Sequence, residues 1–175
     1  MVLSNFFKRL LMTRQINFDE GNIDIFNINF VMQPAFEQVY LNELFFQKLG
    51  DDGKSVLYDF GKNCAIEMND QIFNKFKVDG TESLNLWQSI IELSGNAKIN
   101  SITNRDGRIV ILAKSTLAQK LKEKNSKIIE SKADYFLSGF FSGAFSKIYG
   151  KNLYCRETKC MVEGEATCTF ILEKN

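Results

Sequence analysis

Three of the four cysteines, Cys155, Cys160 and Cys168, fall in the last stretch of the 175-residue chain, and two of them are spaced for chemistry. Cys160 and Cys168 are symmetric about Gly164, so a hairpin turning at that glycine sets them opposite each other. Two thiols so placed can share a metal, close a disulfide, or stay reduced and buried, and residue types alone leave all three open. Glu157 stands three residues before Cys160, which in an ideal strand puts it on the opposite face. Joint ligation by Glu157 and Cys160 therefore demands a bulge or turn between them. Asp134 opens the apolar stripe of Leu137, Phe141, Phe145 and Ile148, since positions 134, 141 and 145 lie within about 20° on a helix. A carboxylate buried there needs a cation or several hydrogen bonds; near a wet helix N-terminus it is instead a favourable dipole partner. Two thiolates and two carboxylates form an acceptable tetrahedral zinc set, and four protein ligands would close the site and make it structural.

Composition excludes much else. There are 0 histidines, which removes Ser-His-Asp and Cys-His catalysis, imidazole pH switching and every His-ligated metal site. With 22 Lys plus Arg against 21 Asp plus Glu, the net charge of +1 supplies no general attraction to nucleic acid or anionic membrane. Phe6-Phe7-Lys8-Arg9-Leu10-Leu11 is broken by charge well short of a signal sequence or the roughly 20 apolar residues of a membrane span. The chain is therefore expected in the cytoplasm, with reduced cysteines. No glycine-rich dinucleotide or phosphate loop is present to support hydride or phosphoryl chemistry.

The elements that must position these residues follow from hydrophobic period and turn chemistry. Apolar spacing predicts a short helix over 4–12 and a hairpin from Arg14 to Phe30 with a bulge near Asn27. A helix follows Pro34 with Phe36, Val39, Tyr40, Leu44 and Phe45 on its stripe, stopped by Gly50-Asp51-Asp52-Gly53. A helix over 54–77 presents Leu57, Phe60, Cys64, Met68, Ile72, Phe73 and Phe76, with Cys64 as a small core residue. Thr81 caps a helix that buries Leu84, Trp87, Ile90 and Ile91 and ends at Gly95. Asp106-Gly107 turns a hairpin between Ile99–Thr103 and Ile109–Leu112. A short helix from Thr116 precedes a long one over about 126–149, capped near Asn125 or Ser126 and closed by Gly150. Leu153–Met161 and Thr167–Leu172 form the last hairpin. The fold class is α+β, a single domain over 1–175, with long helices packed on an antiparallel sheet built from hairpins. On the long helix Gly139, Ser142, Gly143 and Ser146 make a stripe almost without bulk, suited to close packing in the monomer, a dimer seam, or a space kept for a ligand.

The C-terminal third resembles the 4-vinyl reductase domain family. Gly139-Phe140-Phe141-Ser142-Gly143 supplies its G-x-x-x-G, and Glu157-Thr158-Lys159-Cys160, Gly164 and Cys168 supply its E-x-x-C-x-x-x-G-x-x-x-C. The resemblance implies an α+β fold shared with the transport-particle (TRAPP) subunits and with the phenol-sensor domains of bacterial activators, and a tendency to homodimerise. In those sensors a zinc ion is held by a helix cysteine and by the hairpin's glutamate and two cysteines. These positions carry over to Asp134, Glu157, Cys160 and Cys168, with Asp standing where the sensors have Cys. The family fold further implies an apolar cavity beside the long helix, for which Phe140, Phe141, Phe145 and Trp87 are the candidate lining. The sensors' phenol-binding histidine has no counterpart here, so the pocket is expected to be more apolar.

The function this implies is binding of a small apolar molecule by a sensor-like regulatory domain with a structural zinc, signalling through a separate protein. An assembly module like the transport-particle subunits is the alternative. A tetrapyrrole vinyl reductase, or its accessory, follows from the family name alone, and the residues lean away from an enzyme.

Overall fold

The computed structural model describes residues 12–13, 16–25, 28–76, 80–105, 107–124 and 132–174, the side chains of 72–76 and 80–81 excepted. The expected first helix, the caps at Asn125 and Ser126, the turn residue Asp106 and the Thr81 side chain lie at least largely outside these residues.

The described chain opens with three short strands, β1 (Ile16–Asp19), β2 (Asn22–Ile25) and β3 (Ile28–Phe30), paired antiparallel in that order. The change of parity expected to be a bulge near Asn27 is instead a reversal, because Ile25 pairs with Ile28 and the returning strand is two strands. Helix α1 (Ala35–Leu49) starts behind Pro34, whose fixed φ and missing N–H suit a helix start, and stops at Gly50 with φ 57°. Of its expected stripe only Val39 is buried, while Phe36, Tyr40 and Leu44 are exposed.

Helix α2 (Asp51–Phe76) begins directly after Gly50, so Gly53 lies inside a helix and not in a stop. A Cβ at Gly53 would sit 2.8 Å from the Phe45 carbonyl oxygen, and its absence lets the two helices turn against each other. The buried face of α2 is Leu57, Gly61, Ala65 and Asn69, a narrower seam than the Leu57–Phe60–Cys64–Met68 stripe that the pattern predicts. Phe60 is exposed, and Cys64 and Met68 flank the seam half-buried. The reason is steric: α5 approaches so closely that only small side chains fit between.

Helix α3 (Gly80–Leu93) buries Trp87, Ile90 and Ile91 as expected, with Leu84 packed at their edge, and stops at Gly95 in a left-handed conformation. A four-stranded antiparallel sheet follows, ordered β4 (Ala97–Arg105), β5 (Arg108–Ser115), β7 (Cys168–Lys174), β6 (Leu153–Lys159). Strand period 2 puts Ile109, Ile111 and Ala113 of β5, Cys168, Phe170 and Leu172 of β7, and Leu153, Cys155 and Glu157 of β6 in the interior. Glu157 is the one acid in that apolar layer.

Helices α4 (Thr116–Lys124) and α5 (Tyr135–Tyr149) complete the core. The long helix begins later than expected, at Tyr135, because the Asp134 side chain caps it. Gly139 and Gly143 face α2. A Cβ on Gly139 would land on the Tyr58 carbonyl oxygen, one on Gly143 on that of Lys62, and one on Gly61 on that of Phe136. The other half of the small stripe meets β6: the Ser142 hydroxyl donates to the Leu153 carbonyl at 2.6 Å, and the Leu153 N–H donates to Ser146 Oγ at 2.9 Å. Of the three uses open to this stripe, close packing within the monomer is the one it serves.

Candidate metal centre

The last hairpin provides the break that joint ligation requires. The register of β6 against β7 shifts between Glu157 and Lys159, and the strand ends before Cys160. A single 3-10 turn, Met161–Glu163, closes on Gly164 at φ 97° and returns the chain to Cys168. The bulge rotates Cys160 to the side on which Glu157 already points. One donor atom each from Glu157, Cys160 and Cys168 then lie within 4.8 Å of one another, and all three residues are buried. The two sulfurs are 3.8 Å apart, far beyond the roughly 2.05 Å of a disulfide, so both cysteines are free thiols.

The Glu157 carboxylate is anchored at one oxygen only. Its Oε2 accepts the backbone N–H groups of Ala133 at 2.8 Å and Asp134 at 3.1 Å, where the positive end of the α5 dipole favours an anion. Its Oε1 is buried without a hydrogen-bond partner. An acceptor in that state costs about 1–3 kcal/mol, and a cation beside it would offset that cost. Two sulfurs and one carboxylate oxygen are donors that zinc accepts, so the residues present fit such an ion.

Asp134 touches this cluster through its backbone and not through its carboxylate. Its Oδ1 accepts the Leu137 N–H at 2.9 Å as the cap of α5, and its Oδ2 accepts the Ser115 hydroxyl. Ser115 is itself the cap of α4, its oxygen accepting the Ala118 N–H at 3.0 Å. Two helix caps thus meet in one hydrogen bond. Burial pushes the Asp134 carboxyl up to about 7; the Ser115 bond works against this, and the nearby Glu157 charge adds to it. The Cys168 thiol is held up by its bond with Cys160 and then by burial, and the Cys155 thiol by burial and then by Glu157. Cys155 is a packed thiol whose own N–H donates to the Tyr58 hydroxyl at 3.1 Å.

The four aromatic candidates are buried along two adjoining faces of α5. Phe141 meets Phe170 edge-on at 5.1 Å and Phe145 at 6.1 Å, on the sheet side. Phe140 instead meets Trp87 edge-on at 5.1 Å, against α3. Trp87 donates its indole N–H to Asn69 Oδ1 at 2.8 Å, and Asn69 in turn donates to the Gly143 carbonyl at 3.3 Å. Neither Asn69 nor Ser115 stands out in the apolar pattern. Ser115, just ahead of a helix and three residues before Ala118, is nevertheless a readable cap signal, and Gly61 four residues before Ala65 is a readable close-packing signal.

With the bulge, the anchored glutamate and the paired thiols in place, the segment can be set beside known proteins. Residues 127–174 match the 4-vinyl reductase domain. This matched segment contains α5 and the whole β6–β7 hairpin, and with them every donor of the cluster. No curated protein matches the chain in sequence. Among solved structures, the phenol-responsive sensory domain of the transcription activator PoxR, determined with phenol, has a TM-score of 0.77 at 13% identity, covering 98% of this chain and 92% of that one. A vinyl-4-reductase family protein from Methanocaldococcus jannaschii has a TM-score of 0.56 at 15% identity, covering 100% and 98%. An H-NOX protein from Shewanella oneidensis has a TM-score of 0.51 at 17% identity, covering 85% and 79%. The expected α+β fold is the observed one, shared with 4-vinyl reductase, sensor and H-NOX domains. No helix among the described residues is long and apolar enough to cross a membrane.

Proposed function

We propose that the chain is a sensor-like regulatory domain that binds a small apolar molecule and uses a zinc ion to tie its last hairpin to the start of α5. The observation that carries this reading is the Glu157 carboxylate, with one oxygen fixed by two backbone N–H groups and the other bare, buried and beside two thiols. Glu157, Cys160 and Cys168 would hold the ion, and zinc would supply positive charge that lets both sulfurs lie buried as thiolates. Asp134, the fourth residue expected in the set, adjoins the cluster through its N–H on Glu157. The likeness of nearly the whole chain to the phenol-responsive domain of PoxR supports the sensing part.

The ligand would lodge against α5 among Phe140, Phe141, Phe145 and Trp87, parting edge-on ring pairs that are otherwise in contact. In a chain with 0 histidines, recognition there would rest on ring faces and apolar area. The test is thermal denaturation against a panel of phenols and small apolar aromatics. A binder at one hundred times its Kd adds about 2.7 kcal/mol, which for a chain of this size raises Tm by about 5 °C or more. Phe141→Trp, which fills the space, should abolish the shift; a panel in which no compound moves Tm would overturn the reading.

A second observation favours association. Helix α1 exposes Phe36, Tyr40 and Leu44 at helical spacing, a surface suited to a second copy of the chain or to the protein that receives the signal. Homodimerisation is the expected outcome, read as a doubled mass in light scattering.

A further inference from the structure

The zinc reading leaves one question that this chain's own departure from the family pattern raises: what occupies the position where the sensors place a helix cysteine. A ligand at that place must turn a lone pair toward the metal. Both oxygens of Asp134 are engaged elsewhere, Oδ1 by the Leu137 N–H and Oδ2 by the Ser115 hydroxyl. Ser115 Oγ in turn accepts the Ala118 N–H at 3.0 Å. Withdrawing Asp134 toward a metal would uncap α5 and strip α4's cap residue of its acceptor together. The backbone of Asp134 is committed as well: its N–H donates to Glu157 Oε2 at 3.1 Å, and its carbonyl accepts both the N–H and the hydroxyl of Ser138. The cluster of donor atoms that converges is accordingly Glu157, Cys160 and Cys168, without Asp134.

We infer that Asp134 is a positioning residue and that the zinc site has three protein donors, leaving its fourth position to water or to a small monodentate ligand such as an anion or a thiol. Asp134 and Ala133 hold Glu157 by Oε2, so that Oε1 is the oxygen presented to the metal. Three protein ligands and one exchangeable position are the arrangement of reactive zinc sites, where four protein ligands make an inert one. This inference rests on the metal reading above and deepens it: the ion becomes a second, polar place at which an exogenous ligand can act on the hairpin, distinct from the aromatic surface of α5.

Cobalt(II) in place of zinc makes the coordination visible, and azide probes an exchangeable position. The full chain, Asp134→Asn and Ser115→Ala are titrated with cobalt(II), and their thiolate charge-transfer and d–d bands are recorded with and without azide. Asn is a good helix cap, so the first variant retains the fold while losing the carboxylate; the second frees the carboxylate without removing it. Expected are one cobalt per chain, affinities within about threefold across the three proteins, and d–d bands that move on adding azide in the wild type and in Asp134→Asn alike. A fall of a hundredfold or more in Asp134→Asn, with Ser115→Ala unaffected, would make Asp134 a ligand and overturn the inference alone. Bands that ignore azide in all three proteins would close the fourth position and do the same. Failure of the wild type to bind cobalt at all would overturn the metal reading itself, and this inference with it.

Discussion

Helix α5 meets the rest of the molecule in two ways. Along its side, Gly139 and Gly143 lie against the α2 main chain with no space for a methyl group, and Asn69 and Trp87 close the seam with every polar atom paired. At its N-terminus, a carboxylate oxygen and two thiols are buried together with the oxygen unpartnered. Both places are interior, and their energetics differ in kind. The crossing is complete as built and admits nothing; the corner is incomplete as built and has donors for a cation. A buried polar group lacking a partner thus marks the functional end of a helix whose other contacts are wholly structural.

The sharpest way to break the comparison is Gly139→Ala. Its Cβ would meet a backbone carbonyl, which cannot move aside as a side-chain tip could, so a loss of about 4 kcal/mol or more is expected in denaturant unfolding. The same change at an exposed helix position would be mildly stabilising.

A smaller effect probes the corner by pH. In chelator-treated protein, burial keeps the Asp134 carboxyl protonated up to about 7, whereas in the unfolded chain it ionises near about 4. The folded state binds the extra proton between those values. Stability is therefore greatest below about pH 4 and is lost as pH rises toward about 7, by a few kcal/mol at most. Asp134→Asn should flatten that slope in unfolding measured across the window, and an unchanged slope would assign it to another group.

The smallest effect belongs to the seam's hydrogen bond. Trp87→Phe leaves Asn69 Oδ1 buried without its donor and should cost about 1–3 kcal/mol, with metal binding unchanged. A change in metal content in that variant would show the two regions to be coupled.

The difference between the regions also sets what could be read from residues alone. The hairpin chemistry was legible because it is local: Cys160, Gly164 and Cys168 announce a turn, and the face mismatch of Glu157 announces the bulge that the β6–β7 register shows. The crossing was less so, because Gly139 and Gly143 reveal a close approach without naming the partner. Gly61 lies 78 residues earlier, on a helix whose large apolar side chains suggest a different face. Asp134 fell between. Its position was right to within a turn, but whether it caps or ligates depends on where α5 starts and on Ser115 across the fold, which no spacing within the segment encodes. On α1 the period correctly gave a helix while its apolar stripe, left exposed, misdirected the expected core. Periodicity fixes which residues share a face and not what covers it.

The central claim is that the Glu157–Cys160–Cys168 corner holds a metal. Zinc content of the untagged full chain, measured by elemental analysis beside Glu157→Gln and Cys160→Ser, tests it directly. The account predicts about one zinc per chain in the wild type, lost in both variants while the helical circular dichroism persists. Wild-type protein purified and reloaded without binding any zinc would contradict it.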